Sequence, residues 1–176
     1  MKKSLILDLD ETLVHSSTCR GISNLRVSPV SVSGKEYIFY VICRPHLQQF
    51  LKEASKLYDI YIFTASVKAY ADPLINLIDP DNLVKGRYFR ESCIEHKNGI
   101  YIKDLSKKSL NFDLSKTIII DNSPISYSNN EENALPISSF IDNQSDSALA
   151  ELLPLLELLY GLDDVRSILS LRTSLT

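Results

Sequence analysis

The sequence predicts an α/β protein with a parallel central sheet and a small antiparallel insert after the first strand. Short, almost wholly apolar runs alternate with stretches of helical periodicity, as expected of strands covered on both faces and joined by helices. Three such runs end in polar residues: Leu5-Ile6-Leu7 in Asp8, Ile60-Tyr61-Ile62-Phe63 in Thr64, and Ile118-Ile119-Ile120 in Asp121-Asn122. Between the first two, from Leu25 to Ile42, apolar residues alternate around a Ser33-Gly34 turn signal, which reads as a hairpin or three-stranded flap.

The bulk numbers agree with an ordinary globular chain. Its 176 residues are enough for a real core and predict one domain over residues 1–176, with the insert at about 18–43. Hydrophobic residues make up 44% and charged residues 23%, and the net charge of -3 gives no electrostatic case for nucleic acid or an anionic membrane as partner. No direct nucleic-acid contact and a monomer are expected. Cys19, Cys43 and Cys93 have no metal-ligand spacing and read as small packing residues in a reducing compartment, nuclear or cytoplasmic. Met1-Lys2-Lys3 looks like the basic start of a signal peptide, but Asp8 and Asp10 cut its apolar run short. Near the C-terminus Glu151, Pro154 and Glu157 break the longest apolar stretch, so no membrane span is expected.

In chain order, the first strand runs into Asp8-Leu9-Asp10-Glu11-Thr12. The flap spans Val27, Val30, Val32, Ile38, Phe39 and Val41. Arg44-Pro45 opens a helix, with Pro in the first turn and Leu47, Phe50, Leu51, Ala54 and Leu57 at helical spacing. After the second strand Ser66 is placed to cap a helix through Tyr70, Leu74, Leu77 and Ile78, bent at Pro73 and closed by Asp79-Pro80-Asp81-Asn82. Residues 86 to 105 read as strands around a Lys97-Asn98-Gly99 turn, with Ile100 and Ile102 on one face and Tyr101 and Lys103 on the other. Thr117 to Asn122 is the third strand, and Ser123-Pro124 opens a short turn or helix. Ala134-Leu135-Pro136-Ile137 reads as an edge strand, where a proline is tolerated. Two helices follow, roughly Asp146 to Tyr160, bent at Pro154, and Asp163 to Leu169.

In open parallel sheets, ligands sit beyond the carboxyl ends of the strands where strand order reverses. Side chains at i and i+2 of an extended chain point the same way, so Asp8 and Asp10 face one small volume. Two carboxylates that close repel, and one keeps its proton unless a cation or donor intervenes. A hard cation such as Mg²⁺ suits the pair. Alone, Asp8 and Asp10 are equally an acidic turn, Thr64 a strand-end hydroxyl, Lys103 a solvated lysine and Asp121-Asn122 a turn pair. The histidines at 15, 46 and 96 show no ligand spacing and are read as structural. Together, in chain order, the polar tips are better explained by one site for phosphate-ester hydrolysis. Asp8 is then the nucleophile that splits the reaction through an aspartyl-phosphate, and Asp10 protonates the leaving group and later activates water. Lys103 and Thr64 hold the phosphoryl oxygens. Asp121 and Asn122, with Asp8 and Asp10, complete a Mg²⁺ site.

Six blocks in order carry a resemblance: Asp8-Leu9-Asp10-Glu11-Thr12-Leu13-Val14-His15, Phe63-Thr64-Ala65-Ser66, Tyr70-Ala71-Asp72-Pro73, Arg90-Glu91-Ser92-Cys93, Tyr101-Ile102-Lys103-Asp104-Leu105-Ser106 and Asp121-Asn122-Ser123-Pro124. From Leu5 to about Leu169 the chain resembles the FCP/SCP-type (NLI-interacting-factor-like) phosphatases of the RNA polymerase II C-terminal domain, within the haloacid dehalogenase superfamily. The resemblance implies a Rossmann-like core with a three-stranded insert, and Mg²⁺-dependent hydrolysis of phosphoserine or phosphothreonine. It also implies that Asp10 offers its main-chain carbonyl to Mg²⁺, and that Arg90 and Tyr70 lie along the peptide substrate. Thr12 marks the phosphotransfer type. Thr18 departs from the pattern, because small polymerase-tail phosphatases carry an aromatic residue there that helps form a proline pocket. The polymerase tail is thus one candidate substrate, and another phosphoprotein or a small phosphate ester is the alternative. A dehalogenase of similar fold needs no second aspartate. A non-catalytic binding module, like a mitochondrial import subunit of this fold, lacks the aspartate pair that is present here.

Overall fold

The structure, a computed structural model, describes residues 2–21, 23 and 25–173. Met1 lies outside the described residues, as does the side chain of Val32. The chain runs through β1 (Lys3–Leu7), β2 (Val14–Ser17), β3 (Leu25–Val32), β4 (Lys35–Cys43), α1 (Leu47–Leu57), β5 (Tyr58–Phe63), α2 (Lys68–Ile78) and β6 (Val84–Tyr88). It continues through β7 (Ile94–His96), β8 (Ile100–Ile102), β9 (Thr117–Asp121), β10 (Ala134–Pro136), α3 (Ala148–Tyr160) and α4 (Arg166–Thr173).

Five strands form the central sheet in the order β10-β9-β1-β5-β6, and every neighbouring pair is parallel. From β1 the chain builds outward through β5 to β6, then crosses to β9 and builds the other way to β10. Strand order therefore reverses between β1 and β9, which opens a crevice at their carboxyl ends. Leu7 is level with Ile62 on one side and Ile120 on the other, so Asp8 and Asp121 leave the sheet side by side.

Alternation divides each strand between two layers. Leu5, Leu7, Ile60, Ile62, Ile118 and Ile120 face the cluster built with α1, α2 and α3. Ile6, Phe63 and Ile119 face a smaller cluster with Cys93, Leu105 and Tyr127. All these strand residues are fully buried, which explains why the strands read as continuous apolar runs. Lys3 seats the end of α3: its ammonium donates to the carbonyls of Leu159 (3.2 Å), Tyr160 (2.5 Å) and Leu162. A cation there complements the unpaired carbonyls of a helix C-terminus.

The insert is a separate antiparallel sheet in the order β2-β4-β3. Ser33 (φ 51°) and Gly34 (φ 77°) both turn left-handed, as the tight hairpin between β3 and β4 requires. The insert docks on the core through Val27, Val30 and Val41, and Phe39 packs on Tyr70 of α2 with ring centroids 4.7 Å apart.

Several boundaries differ from those expected. The insert starts at Val14, because Val14–Ser17 pairs with β4 and supplies its third strand. Pro45 is not in the first turn of α1: the helix starts at Leu47 after a left-handed His46 (φ 66°). Ser66 does not cap α2, whose N-cap is Val67 without a side-chain bond, since its hydroxyl is used elsewhere. Leu77 is 45% exposed, and Ala71 and Ile75 fill the buried face of α2 instead. The strand region begins at Val84, ends at Ile102 and is interrupted by a 3-10 turn at Arg90–Ser92. Asp146 lies ahead of α3 and accepts from the Ala148 N–H (3.1 Å), and Asp163 precedes α4. Cys93 is buried and Cys43 half-buried, as packing residues should be, whereas Cys19 is exposed.

Candidate active site

The site is built by a tight loop after β1. Leu9 and Leu13 are fully buried, and Leu13 N–H (2.9 Å) and Val14 N–H (3.2 Å) both donate to the Leu9 carbonyl. Glu11 takes a left-handed conformation (φ 59°) to close the turn. With the two leucines pinned in the core, Asp8, Asp10 and Thr12 are left on the crevice side.

Asp8 is the centre of the site. Its Oδ1 accepts from the Lys103 ammonium at 2.5 Å and its Oδ2 from the Thr12 hydroxyl at 2.7 Å. Lys103 also donates to Asp121 Oδ2 at 2.6 Å, so one buried cation bridges the ends of β1 and β9. Thr12 Oγ1 lies 3.2 Å from Asn122 Oδ1, which ties the same two strand ends again. Asn122 Nδ2 donates to Ser139 Oγ (2.9 Å), and Asp121 Oδ1 accepts from the Ser123 N–H (2.8 Å). Burial alone would pull the Lys103 ammonium down, but Asp8 and Asp121 together hold it above the ordinary lysine value. Burial, then the facing Asp8 charge, pushes Asp121 up to about 6.

Lys103 follows β8 and is only 1% exposed. Its N–H donates to Ser126 O (2.7 Å), and Leu105 N–H donates to Asn130 Oδ1 (2.8 Å), which fixes the segment beside the sheet. Tyr101, on the same side, packs against the smaller cluster and borders the crevice together with Lys103.

Asp10 points to the other side of the crevice. Its Oδ2 accepts from Ser66 Oγ (2.7 Å) and its Oδ1 from the Tyr70 hydroxyl (2.6 Å), and Tyr70 is in turn bonded to Ser16 of β2. Burial raises the Asp10 carboxyl above its usual range, against the pull of these two hydroxyls. Thr64 follows β5 directly, fully buried, and its Oγ1 accepts from the Ser66 N–H at 3.0 Å. Arg90 is exposed; its Nε donates to Ala65 O (2.7 Å) and its guanidinium lies 4.9 Å from the Tyr101 ring centre.

An open cleft of about 370 Å³ runs over these groups, lined by Asp8, Asp10, Thr64, Lys103, Asp121 and Asn122 among others. Arg90, Asp10, Glu11 and Ser66 border it and also a second cleft of about 360 Å³, which continues over Phe39, Val67 and Tyr70. Tyr70 and Arg90 thus fall beside the carboxylates of the crevice, with Tyr70 already engaged by Asp10. Thr18, just past β2, is exposed. His15 pairs with Glu11 (2.9 Å).

The oxygens suit a hard cation. Asp8 Oδ2 and Asn122 Oδ1 converge on one hydroxyl, with Asp121 adjacent, and the set contains no nitrogen or sulfur donor. Among the described residues no three His, Cys, Asp or Glu side chains form a closed metal cage. Mg²⁺ does not need one, since it is held by one or two carboxylates and keeps waters for substrate phosphate to replace.

Residues 3–166 match the family described as NLI interacting factor-like phosphatase. The chain belongs to this family. A human CTD small phosphatase-like protein is 46% identical over 169 residues, covering 96% of this chain and 60% of that protein. A probable C-terminal domain small phosphatase of Dictyostelium discoideum is 46% identical over 167 residues, 95% and 54% of the two chains. The human carboxy-terminal domain RNA polymerase II polypeptide A small phosphatase 1 is 44% identical over 169 residues, 96% and 63%. The chain thus spans little more than half the length of these relatives. A structure of the fission yeast RNA polymerase II CTD phosphatase Fcp1 bound to beryllium fluoride shares the fold, with TM-score 0.66 at 22% identity over 98% of this chain and 54% of that one.

Three residues that hold the site together carry little signal in the sequence. Ser66 reads in the sequence as a helix cap, although it stands two residues from Thr64. Thr12 stands out in the sequence only through the family resemblance, although i, i+4 from Asp8 in a tight loop is within bonding range. Asn130 carries no local signal, since it acts through a backbone N–H distant in sequence.

Proposed function

We propose that this chain is a Mg²⁺-dependent protein serine/threonine phosphatase that works through a phosphorylated Asp8. The observation that carries the reading is Asp8 itself: a carboxylate at a sheet switch point, held by Lys103 on one oxygen and Thr12 on the other. Asp8 attacks phosphorus, forming the Oδ–P bond as the bond to the seryl or threonyl oxygen breaks. Asp10 gives its proton to that leaving oxygen. Water then attacks the aspartyl-phosphate, Asp10 takes the water's proton, and cleavage of the Oδ–P bond restores Asp8. The buried Lys103 ammonium faces the oxygens of the transferring group, and Thr64 lines the same cleft. Mg²⁺, held by Asp8, Asn122, Asp121 and the Asp10 main chain, would neutralise phosphoryl charge.

The joined, open clefts favour an extended phosphopeptide over an enclosed small ester. Relatives named for the polymerase C-terminal domain make that tail the first substrate to test, and with it a nuclear setting. Among the described residues no helix is long and apolar enough to cross a membrane.

Phosphate release from p-nitrophenyl phosphate and from a phosphoserine peptide, against sugar phosphates, tests the reading. Turnover is expected to need added Mg²⁺, to favour the peptide, and to fall by about three orders of magnitude or more in Asp8→Asn. Unchanged activity of Asp8→Asn would overturn the mechanism, and faster turnover of sugar phosphates the substrate class.

A further inference from the structure

Among the described residues, Asp10 is the one site carboxylate whose two oxygens are both taken by side-chain hydroxyls. Ser66 holds Oδ2 at 2.7 Å from the loop after β5, and Tyr70 holds Oδ1 at 2.6 Å from α2. Neither donor is free to turn. The Ser66 N–H is tied to Thr64 Oγ1 (3.0 Å) and its carbonyl accepts from the Arg90 N–H (3.0 Å). Tyr70 is 6% exposed, its ring packs on Phe39, and its oxygen is bonded to Ser16. A phenol has one proton, so donation to Asp10 leaves its oxygen to accept from the Ser16 hydroxyl. A directed chain results: Ser16 donates to Tyr70, Tyr70 to Asp10, and Ser66 to Asp10 from the other side.

We infer that Ser66 and Tyr70, backed by Ser16, are positioning residues that aim the Asp10 carboxyl at the oxygen leaving phosphorus. The inference rests on the reading of Asp10 as acid and base given above. A carboxylate accepting one bond at each oxygen cannot rotate about its Cβ–Cγ bond without breaking both. Each oxygen keeps a second lone pair, which is the place for the proton passed to the leaving oxygen in the first step and recovered from water in the second. Proton transfer needs hydrogen-bond reach, and loss of aim is felt most where the proton matters most. An alkoxide leaving group needs it throughout, whereas a nitrophenolate hardly does. Two of the three hydroxyls belong to elements touching the insert, so the insert contributes to the chemistry through Ser16 and the Phe39–Tyr70 contact as well as lining the cleft.

The test is a series of small aryl and alkyl phosphate monoesters, from p-nitrophenyl to simple alkyl, with no peptide part that could exploit the Tyr70 cleft. The slope of log kcat/KM against leaving-group pKa is measured for wild type, Asp10→Asn, Ser66→Ala, Ser66→Thr and Tyr70→Phe, with thermal unfolding to confirm folding. Asp10→Asn is expected to steepen the slope most, losing about 10²- to 10⁴-fold on alkyl esters. Ser66→Ala and Tyr70→Phe should steepen it in the same sense, losing about tenfold on alkyl esters and less than about threefold on p-nitrophenyl phosphate. Ser66→Thr, which keeps the hydroxyl, should return toward the wild-type slope. If Asp10→Asn steepens the slope while the hydroxyl variants lower every ester equally, or lower none, the positioning role is overturned and the reading of Asp10 stands. If Asp10→Asn itself leaves the slope unchanged, the reading of Asp10 is what fails.

Discussion

Thr12 shows how much one buried hydroxyl can organise. Its Oγ1 is 2.7 Å from Asp8 Oδ2 and 3.2 Å from Asn122 Oδ1, yet it has a single proton to give. The shorter bond goes to the carboxylate, and Asn122 is held as a close neighbour, with its amide nitrogen fixed by Ser139. Thr12→Val keeps the shape and removes the donor, leaving Asp8 Oδ2 without its protein partner. A hydrogen bond to a charged group is worth about 1.5–3 kcal/mol, so kcat/KM should fall about ten- to hundredfold. Thr12→Ser should retain most activity. Steady-state kinetics on p-nitrophenyl phosphate compare the two, and equal losses would mean that the methyl packing matters rather than the hydroxyl. Residues of this kind were hard to read from sequence for a physical reason. Asp8, Thr64 and Asp121 announce themselves because a polar tip on a buried strand is costly without a partner. The hydroxyls of Thr12 and Ser66 sit in turns, where any Ser or Thr is unremarkable until the fold shows what it faces. Lys103 is legible only in company, since nothing local distinguishes a buried lysine from a solvated one and its role comes from the polar strand tips around it.

The elements around the crevice are fastened by one buried arginine. Arg44, 1% exposed between β4 and α1, donates to Thr12 O (3.1 Å) and Ser138 O (2.9 Å), and grips Asp146 ahead of α3 with two bonds of 2.7 and 2.8 Å. The insert exit, the Asp8–Thr12 loop and the approach to α3 thus meet on one side chain. This also accounts for the late start of α1: Arg44 N–H is bonded to Leu13 O (2.9 Å), and the chain must turn through Pro45 and a left-handed His46 before helix geometry is reached. The strands and the edge position of β10 were legible because period and proline placement are local. Helix starts were not, because a long-range tie such as this one sets them. The bonds from Arg44 are the main cause holding the Asp146 carboxyl below the ordinary range. Its contribution to stability is therefore complete above the unfolded value of about 3.9 and is lost as pH falls through the lower folded value. Asp146→Asn should cost about 3 kcal/mol at pH 7, since it leaves a buried guanidinium without its counter-charge, and the cost should shrink below about pH 4. Urea unfolding at pH 7 and pH 3 measures both, and a cost independent of pH would refute the ionic account.

For the whole molecule, on the proposed reading, two sheets share one substrate. The parallel sheet brings Asp8, Thr64 and Asp121 to the crevice, and the insert supplies Ser16 and Phe39 to the second cleft, so the border between the sheets is where sequence context would be read. Thr18 lies at that border. Ser16 faces the cleft from β2, and side chains two residues apart in an extended strand share a side, although β2 itself ends at Ser17. Thr18 is exposed, so a ring there would meet no crowding and would extend the apolar wall begun by Phe39. A wall of that kind favours the flat ring of a proline following the phosphoserine, and it acts on binding rather than on proton or phosphoryl transfer. Thr18→Phe should therefore lower KM for a phosphoserine-proline peptide several-fold, the gain from burying roughly 40 Å² of apolar surface at about 25 cal/mol per Å². It should leave kcat, and all constants for p-nitrophenyl phosphate, within about twofold of wild type. A matched peptide with alanine in place of the proline is the control. An equal gain on both peptides would make the new ring a general apolar contact, whereas a gain confined to the proline peptide would locate proline reading beside β2.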